Sequence, residues 1–246
     1  MFVKDQKSAY KIDFSIIAII LIAGFKFTYG IENVLDIGLS DESGYLDGGV
    51  RLLESGIPEA AYSPLYSIWY FLLSLFEPDK ISLYFLNYKL MIVLPPVFFY
   101  VLLRRNNVPP PVSFAISYLF LISCANATVW PKVCHFALIL IFAVFSLISL
   151  IRSLVWGFLF TSIGALLVSY VRPEFFIVYL MSGILFILWF LFKYSQIEKR
   201  HLTGLVAGGI ISIILLGLFG CPMVGNRSII AFGQHFSCNW AAWNGS

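Results

Sequence analysis

Long apolar runs alternate along the chain with short polar breaks. Seven runs have about the length that a bilayer-crossing helix needs, at roughly 13–30, 81–103, 112–130, 133–151, 155–171, 175–193 and 202–220. One further apolar stretch, Pro64 to Phe76, has only about 13 residues and is short for a hydrocarbon core of ~30 Å. The pattern predicts an all-α, polytopic membrane protein with about seven transmembrane helices.

Composition agrees with this pattern and excludes other classes. The 246 residues are 60% hydrophobic and 12% charged, whereas a soluble domain carries roughly 25% charged residues. A soluble single domain is excluded, and so is disorder, because apolar and aromatic residues are too abundant. No basic cluster with interleaved aromatics supports nucleic-acid binding. The four cysteines form no CxxC pair and no His/Cys metal spacing.

Charge placement predicts orientation. Lys4, Lys7 and Lys11 precede the first run, Phe14 to Tyr29. That start resembles a secretory signal peptide, but no small-x-small site follows, so an uncleaved anchor with a cytoplasmic N-terminus is expected. If 64–76 stays on the outer side, Arg104, Arg105, Arg152, Lys193, Lys199 and Arg200 all fall inside. If it crosses, they move outside, against the positive-inside rule. We therefore read 64–76 as an interfacial or re-entrant helix. The outer side then holds loop 31–80, Trp130-Pro131-Lys132 with His135, Arg172-Pro173-Glu174, and tail 221–246 with Arg227 and His235.

The outer loop has its own pattern. Ser40 or Asp41 suits an N-cap, with an acid in the first turn. Leu46, Val50 and Leu53 recur at helical spacing, Asp47 and Arg51 stand i,i+4 on the polar face, and Gly56 with Pro58 ends the helix. This predicts an amphipathic helix along the membrane surface, followed by a second from Tyr62-Ser63-Pro64-Leu65-Tyr66. A carboxylate there, Asp41 or Glu42, can take a proton from an acceptor while a lipid phosphate leaves. Lys132 and Arg172 supply positive charge on the same side, and the aromatic surface can hold a sugar ring.

Asp41-Glu42 with Tyr45, then Leu52-Leu53-x-Ser55-Gly56-x-Pro58, then Ser63-Pro64-Leu65-Tyr66, resembles the first outer loop of the GT-C membrane glycosyltransferases. The relatives in question are the protein mannosyltransferase, aminoarabinose transferase and Rgt-like families. Arg104-Arg105 at the end of the second span and Arg172-Pro173-Glu174 fit the same pattern. The resemblance implies a sugar transferase that uses a polyprenyl-phosphate-linked donor, acts on a lipid, glycan or protein acceptor outside the membrane, and resides in a bacterial inner (plasma) membrane. It implies Asp41 and Glu42 as catalytic residues. Substrate would be bound by Tyr45, Lys89, Lys132, His135, Arg172 and Glu174. It also implies a GT-C-like module over residues 1–220 with an outer tail 221–246. Members of that superfamily usually carry more spans, so the chain is expected to be an N-terminal module, a truncated product or a minimal member.

Each residue also has a plainer reading. Asp41 and Glu42 read as a solvated helix cap, Arg172 as an interfacial anchor paired with Glu174, and Lys132 as a snorkelling anchor. His135 needs a partner or a cavity, and Lys89 and Asn87 either face that cavity or, for Lys89, snorkel. Cys221 and Cys238 can form a disulfide if the compartment is oxidising. Asn126-Ala-Thr128, Asn226-Arg-Ser228 and Asn244-Gly-Ser246 match the glycosylation sequon, a short and common pattern. The acids alone are a thin divalent-metal site, so no metal ligand is assigned and cofactor use stays open. Two other functions compete with a transferase. One is a transporter or flippase of a lipid-linked solute, which usually places charges or broken helices near the midplane in repeated halves. The other is a non-catalytic assembly or scaffold protein. A transferase needs Asp41, Lys132 and Arg172 to meet around one cavity.

Overall fold

A computed structural model describes residues 2–34, 41–127, 132–193 and 199–223. Among them are ten α-helices and no strand. They are α1 (Phe2–Phe27), α2 (Glu42–Val50), α3 (Leu52–Ser55), α4 (Pro64–Ser74), α5 (Lys80–Arg105), α6 (Pro110–Leu121), α7 (Val133–Ile148), α8 (Leu154–Ser169), α9 (Phe175–Lys193) and α10 (Lys199–Phe219). The expected all-α architecture is present.

Four segments are long and apolar enough to cross a membrane: Tyr10–Asn33, Lys80–Arg105, Phe175–Phe192 and Leu202–Phe219. They match four of the seven predicted runs. The other three runs form shorter apolar helices, α6, α7 and α8. At 1.5 Å per residue, α6 reaches only ~18 Å and α7 and α8 ~24 Å each. The predicted run 112–130 breaks because α6 ends at Leu121 and the chain turns. There the Asn126 amide donates to the Leu121 carbonyl and to Ile92 O on α5, both at 3.0 Å. A side chain thus takes over acceptors that the helix end leaves unpaired.

Helix α5 is the hub, packing on α1, α2, α4, α6 and α7. Helix α1 runs antiparallel to it and is fastened at two levels. Near one end, Asp13 Oδ1 accepts from Arg104 Nε at 2.7 Å and from the Tyr100 hydroxyl at 2.6 Å. Near the other, Lys89 pairs with Glu32. Between them Gly24 admits close contact, since a Cβ there would lie 2.7 Å from Val93 Cγ2. Beyond α7 the bundle thins, with α8 touching α7, α9 and α10.

The predicted surface helices form, with one change. Residues 42–55 make two helices, α2 and α3, joined at Arg51. Gly56 ends the second with φ 76°, a left-handed conformation in which a Cβ is strained. Helix α4 starts with Pro at its first turn and spans eleven residues, ~16 Å or about half the hydrocarbon thickness. It lies against α2 and the start of α5, where Lys80 Nζ bonds Asp47 Oδ1 at 2.8 Å. Gly49 makes the α2–α4 contact possible, because a Cβ there would sit 2.8 Å from Ser67 O and collide with Tyr70 Cβ.

Candidate functional site

The first turn of α2 sends two adjacent carboxylates to different places. Asp41 occupies the N-cap position in a helical conformation, and its side chain makes no capping bond. The cap expected of Asp41 therefore does not form, Ser40 lies outside the described residues, and Asp41 is exposed. One residue on, helical rotation turns Glu42 inward, where it is 3% exposed.

Glu42 ties four segments together. Its Oε1 accepts from the hydroxyls of Tyr66 and Tyr70 on α4, the latter at 2.6 Å, and from the Asn87 amide on α5 at 2.9 Å. Its Oε2 accepts from the backbone N–H of Lys132, the residue preceding α7, at 2.6 Å. The orientation of Asn87 follows from its other partner. The Trp69 indole can only donate and reaches Asn87 Oδ1 at 2.8 Å, so the Asn87 nitrogen faces Glu42 as a donor. A buried carboxylate needs such donors. Burial nevertheless pushes the Glu42 carboxyl above its ordinary value, opposed by the bonds from Tyr66, Tyr70 and Lys132.

Below this knot lies a second polar group. The Lys132 ammonium donates to Asn126 O at 3.1 Å and stands 4.4 Å over the Tyr88 ring. Burial pushes it down to about 8, with Glu42 acting the other way. His135 places Nε2 3.0 Å from the same Asn126 carbonyl. A carbonyl only accepts, so Nε2 carries a proton. Non-helical backbone deep in a helical bundle is tolerated when protein groups satisfy it, and here they do so for Asn126 O.

The opposite side of α2 borders a cleft of about 490 Å³ lined by Asp41, Ser43, Gly44, Tyr45, Gly48, Pro58, Tyr62 and Ser67. Its far rim is pinned to the end of α8. The Ser63 hydroxyl donates to Val171 O at 2.7 Å, and Leu65 N–H donates to Tyr170 O at 3.3 Å. This brings the α8–α9 turn alongside. Arg172 lies within electrostatic reach of the Tyr45 phenol. Glu174 holds its guanidinium through Nη2 at 2.5 Å and Nε at 3.2 Å, and Nη1 approaches Cys134 Sγ at 3.4 Å. Arg172 is a fixed cation near Tyr45, one of the residues that line a cleft headed by an exposed carboxylate.

The expected site residues thus fall into three groups. Asp41 and Tyr45 line the cleft, and the Arg172–Glu174 pair reaches it through the charge it sets near Tyr45 without lining it. Glu42, Lys132 and His135 belong to the buried polar cluster; of the three residues expected to meet around one cavity, only Asp41 lines the cleft, because the Lys132 ammonium is buried against Asn126 and Tyr88 and Arg172 is held by Glu174 outside the lining. Lys89 is held by Glu32 on the α1 side of α5. Sequence reasoning assigned no site role to Tyr66, Tyr70, Asn126 or Cys134. The signal for the tyrosines was present, since Tyr66 and Tyr70 stand i,i+4 on α4 and present one face to the lone Asn87 of α5. Among the described residues no group of three His, Cys, Asp or Glu could hold a metal ion. The features expected of tail 221–246, including Cys238 and His235, lie almost wholly outside the described residues. No protein-family model matches the chain, and neither a curated protein nor a solved structure matches it significantly.

Proposed function

We propose that the protein transfers a sugar from a polyprenyl-phosphate-linked donor to an acceptor at the membrane surface, with the cleft beside α2 as the reaction site. The observation that carries this reading is the exposed Asp41 carboxylate opening onto a cleft with Tyr45, Tyr62 and Ser67, with the Arg172 guanidinium within electrostatic reach of Tyr45. Asp41 accepts the proton of the acceptor hydroxyl or amine as that atom bonds to the anomeric carbon. The bond from that carbon to the lipid phosphate breaks, and the electron pair leaves with the phosphate. Arg172, a permanent cation whose donors exceed what one carboxylate uses, stabilises the departing charge. The two tyrosines offer flat faces to the sugar ring. The site stands at the end of the bundle where α2 and α4 lie across the start of α5, which suits a donor whose lipid tail stays in the bilayer.

The test is a surface-glycan profile of a deletion strain complemented with wild type or Asp41→Asn. The substitution removes the base and leaves the size of the side chain unchanged. We expect wild type to restore the missing glycan and Asp41→Asn to fail at equal protein level. Full complementation by Asp41→Asn removes the base from this scheme. An unchanged glycan profile in the deletion strain counts against the transferase itself and favours the scaffold reading.

A further inference from the structure

We infer that Glu42 is a positioning residue: its carboxylate, gripped by Tyr66, Tyr70, Asn87 and the Lys132 backbone, fixes the first turn of α2 so that Asp41 faces the cleft. This inference rests on the proposed transferase site and assigns Glu42 a role different from that of its neighbour. Glu42 is 3% exposed and both oxygens are occupied, so it has no open path to an acceptor proton. Its four donors come from α4, α5 and the residue preceding α7, none of them from α2. The bonds therefore do not stabilise α2 as a helix; they fix where it sits. Asp41 has no capping bond of its own. Three glycines, Gly44, Gly48 and Gly49, also weaken this nine-residue helix. Glu42 is therefore a side-chain anchor that ties its first turn to three other segments.

Chemistry explains why the anchor is a carboxylate and not an amide. Both oxygens of Glu42 receive donors, and the donor on Oε2 is a backbone N–H that cannot reverse its role. A glutamine keeps the shape but sets an NH2 group against a donor on one side or the other. The Asn87 amide cannot turn over to compensate without losing the Trp69 indole bond. Glu42→Gln should thus loosen α2 with little change in packing volume.

The experiment uses the full chain in detergent micelles. Backbone hydrogen exchange is followed over residues 41–50 and, as reference, over α5, beside kinetics of transfer from polyprenyl-phosphate pentose and hexose donors. For Glu42→Gln we expect exchange over 41–50 to rise at least tenfold while α5 keeps its protection. Turnover should fall about a hundredfold at near-constant donor KM, because misplacing a reacting group by ~1 Å costs about that much. Tyr70→Phe, which removes one donor and no carboxylate, should give a smaller change of the same kind and stands in if Glu42→Gln does not fold. Unchanged exchange over 41–50 in both variants overturns the inference, as does a change in KM alone. A wild-type protein that transfers no sugar, with α2 exchange still dependent on Glu42, defeats the transferase reading and leaves the anchoring of α2 intact.

Discussion

On one face of α2 a carboxylate is enclosed by two tyrosines, an asparagine and a backbone amide; on the other, its neighbour in the chain heads a cleft lined by tyrosines, serines and glycines. The two acids share a local sequence, and what separates them is one step of helical rotation. Burial and donor supply fit Glu42 for holding, and access fits Asp41 for reacting. Adjacent acids in such a loop are therefore not interchangeable copies of one function.

Stability measurements are the strongest way to break this contrast. Glu42→Ala leaves the tyrosine hydroxyls, the Asn87 amide and the Lys132 N–H without their acceptor, so we expect a loss of about 3–5 kcal/mol. Asp41→Ala should stay within about 0.5 kcal/mol. Thermal or denaturant unfolding in micelles checks both, and equal losses would erase the distinction. The glycines sharpen the comparison at a smaller scale. Gly49→Ala forces α2 away from α4 and should cost about 1–3 kcal/mol. Gly44, on the cleft side, has no atom within 4 Å of a built Cβ, so Gly44→Ala should be neutral or stabilise by up to ~1 kcal/mol through helix propensity.

The smallest effect concerns pH. Lys132 titrates at about 8 in the folded chain against an ordinary lysine value of 10.5. Between those values the unfolded chain binds more protons, so stability rises with pH from about 8 upward. The unfolding midpoint should therefore climb from pH 8 to about 9 in wild type, a window a full unit below the ordinary tyrosine value of about 10. The climb should be absent in Lys132→Met, and a wild-type midpoint that falls over this range contradicts the burial of the ammonium.

Much of the architecture could be read from hydropathy, because the apolar runs at α1, α5, α9 and α10 are long. The break after α6 could not, because Ile122, Val129 and Trp130 keep the run apolar to its end. What stops that helix is tertiary: Asn126 caps Leu121 and reaches across to α5. The same limit applies to the site. Asp41 and Arg172 were legible as polar residues at helix ends. The Glu42 anchor was not, since its donors are drawn from positions 66, 70, 87 and 132, and only folding brings these together. Lys89 could be read as a polar residue in an apolar helix, but pairing with Glu32 needs the register of α1 on α5.

That register has a consequence for biosynthesis. The ion pair and hydroxyl bond that satisfy Asp13 come from residues 87 and 91 positions later in the chain. At a synthesis rate of about 5–20 residues per second, Arg104 is made roughly 5–18 s after Asp13. During that interval the first helix carries a carboxylate without its eventual partners, and it must either hold that group at the lipid headgroups or wait beside the translocation machinery. Moving the acid deeper by one turn, for example with Ile17→Asp in an Asp13→Ala background, should slow or divert insertion of the first helix, and a pulse-chase protease-protection assay would register the delay.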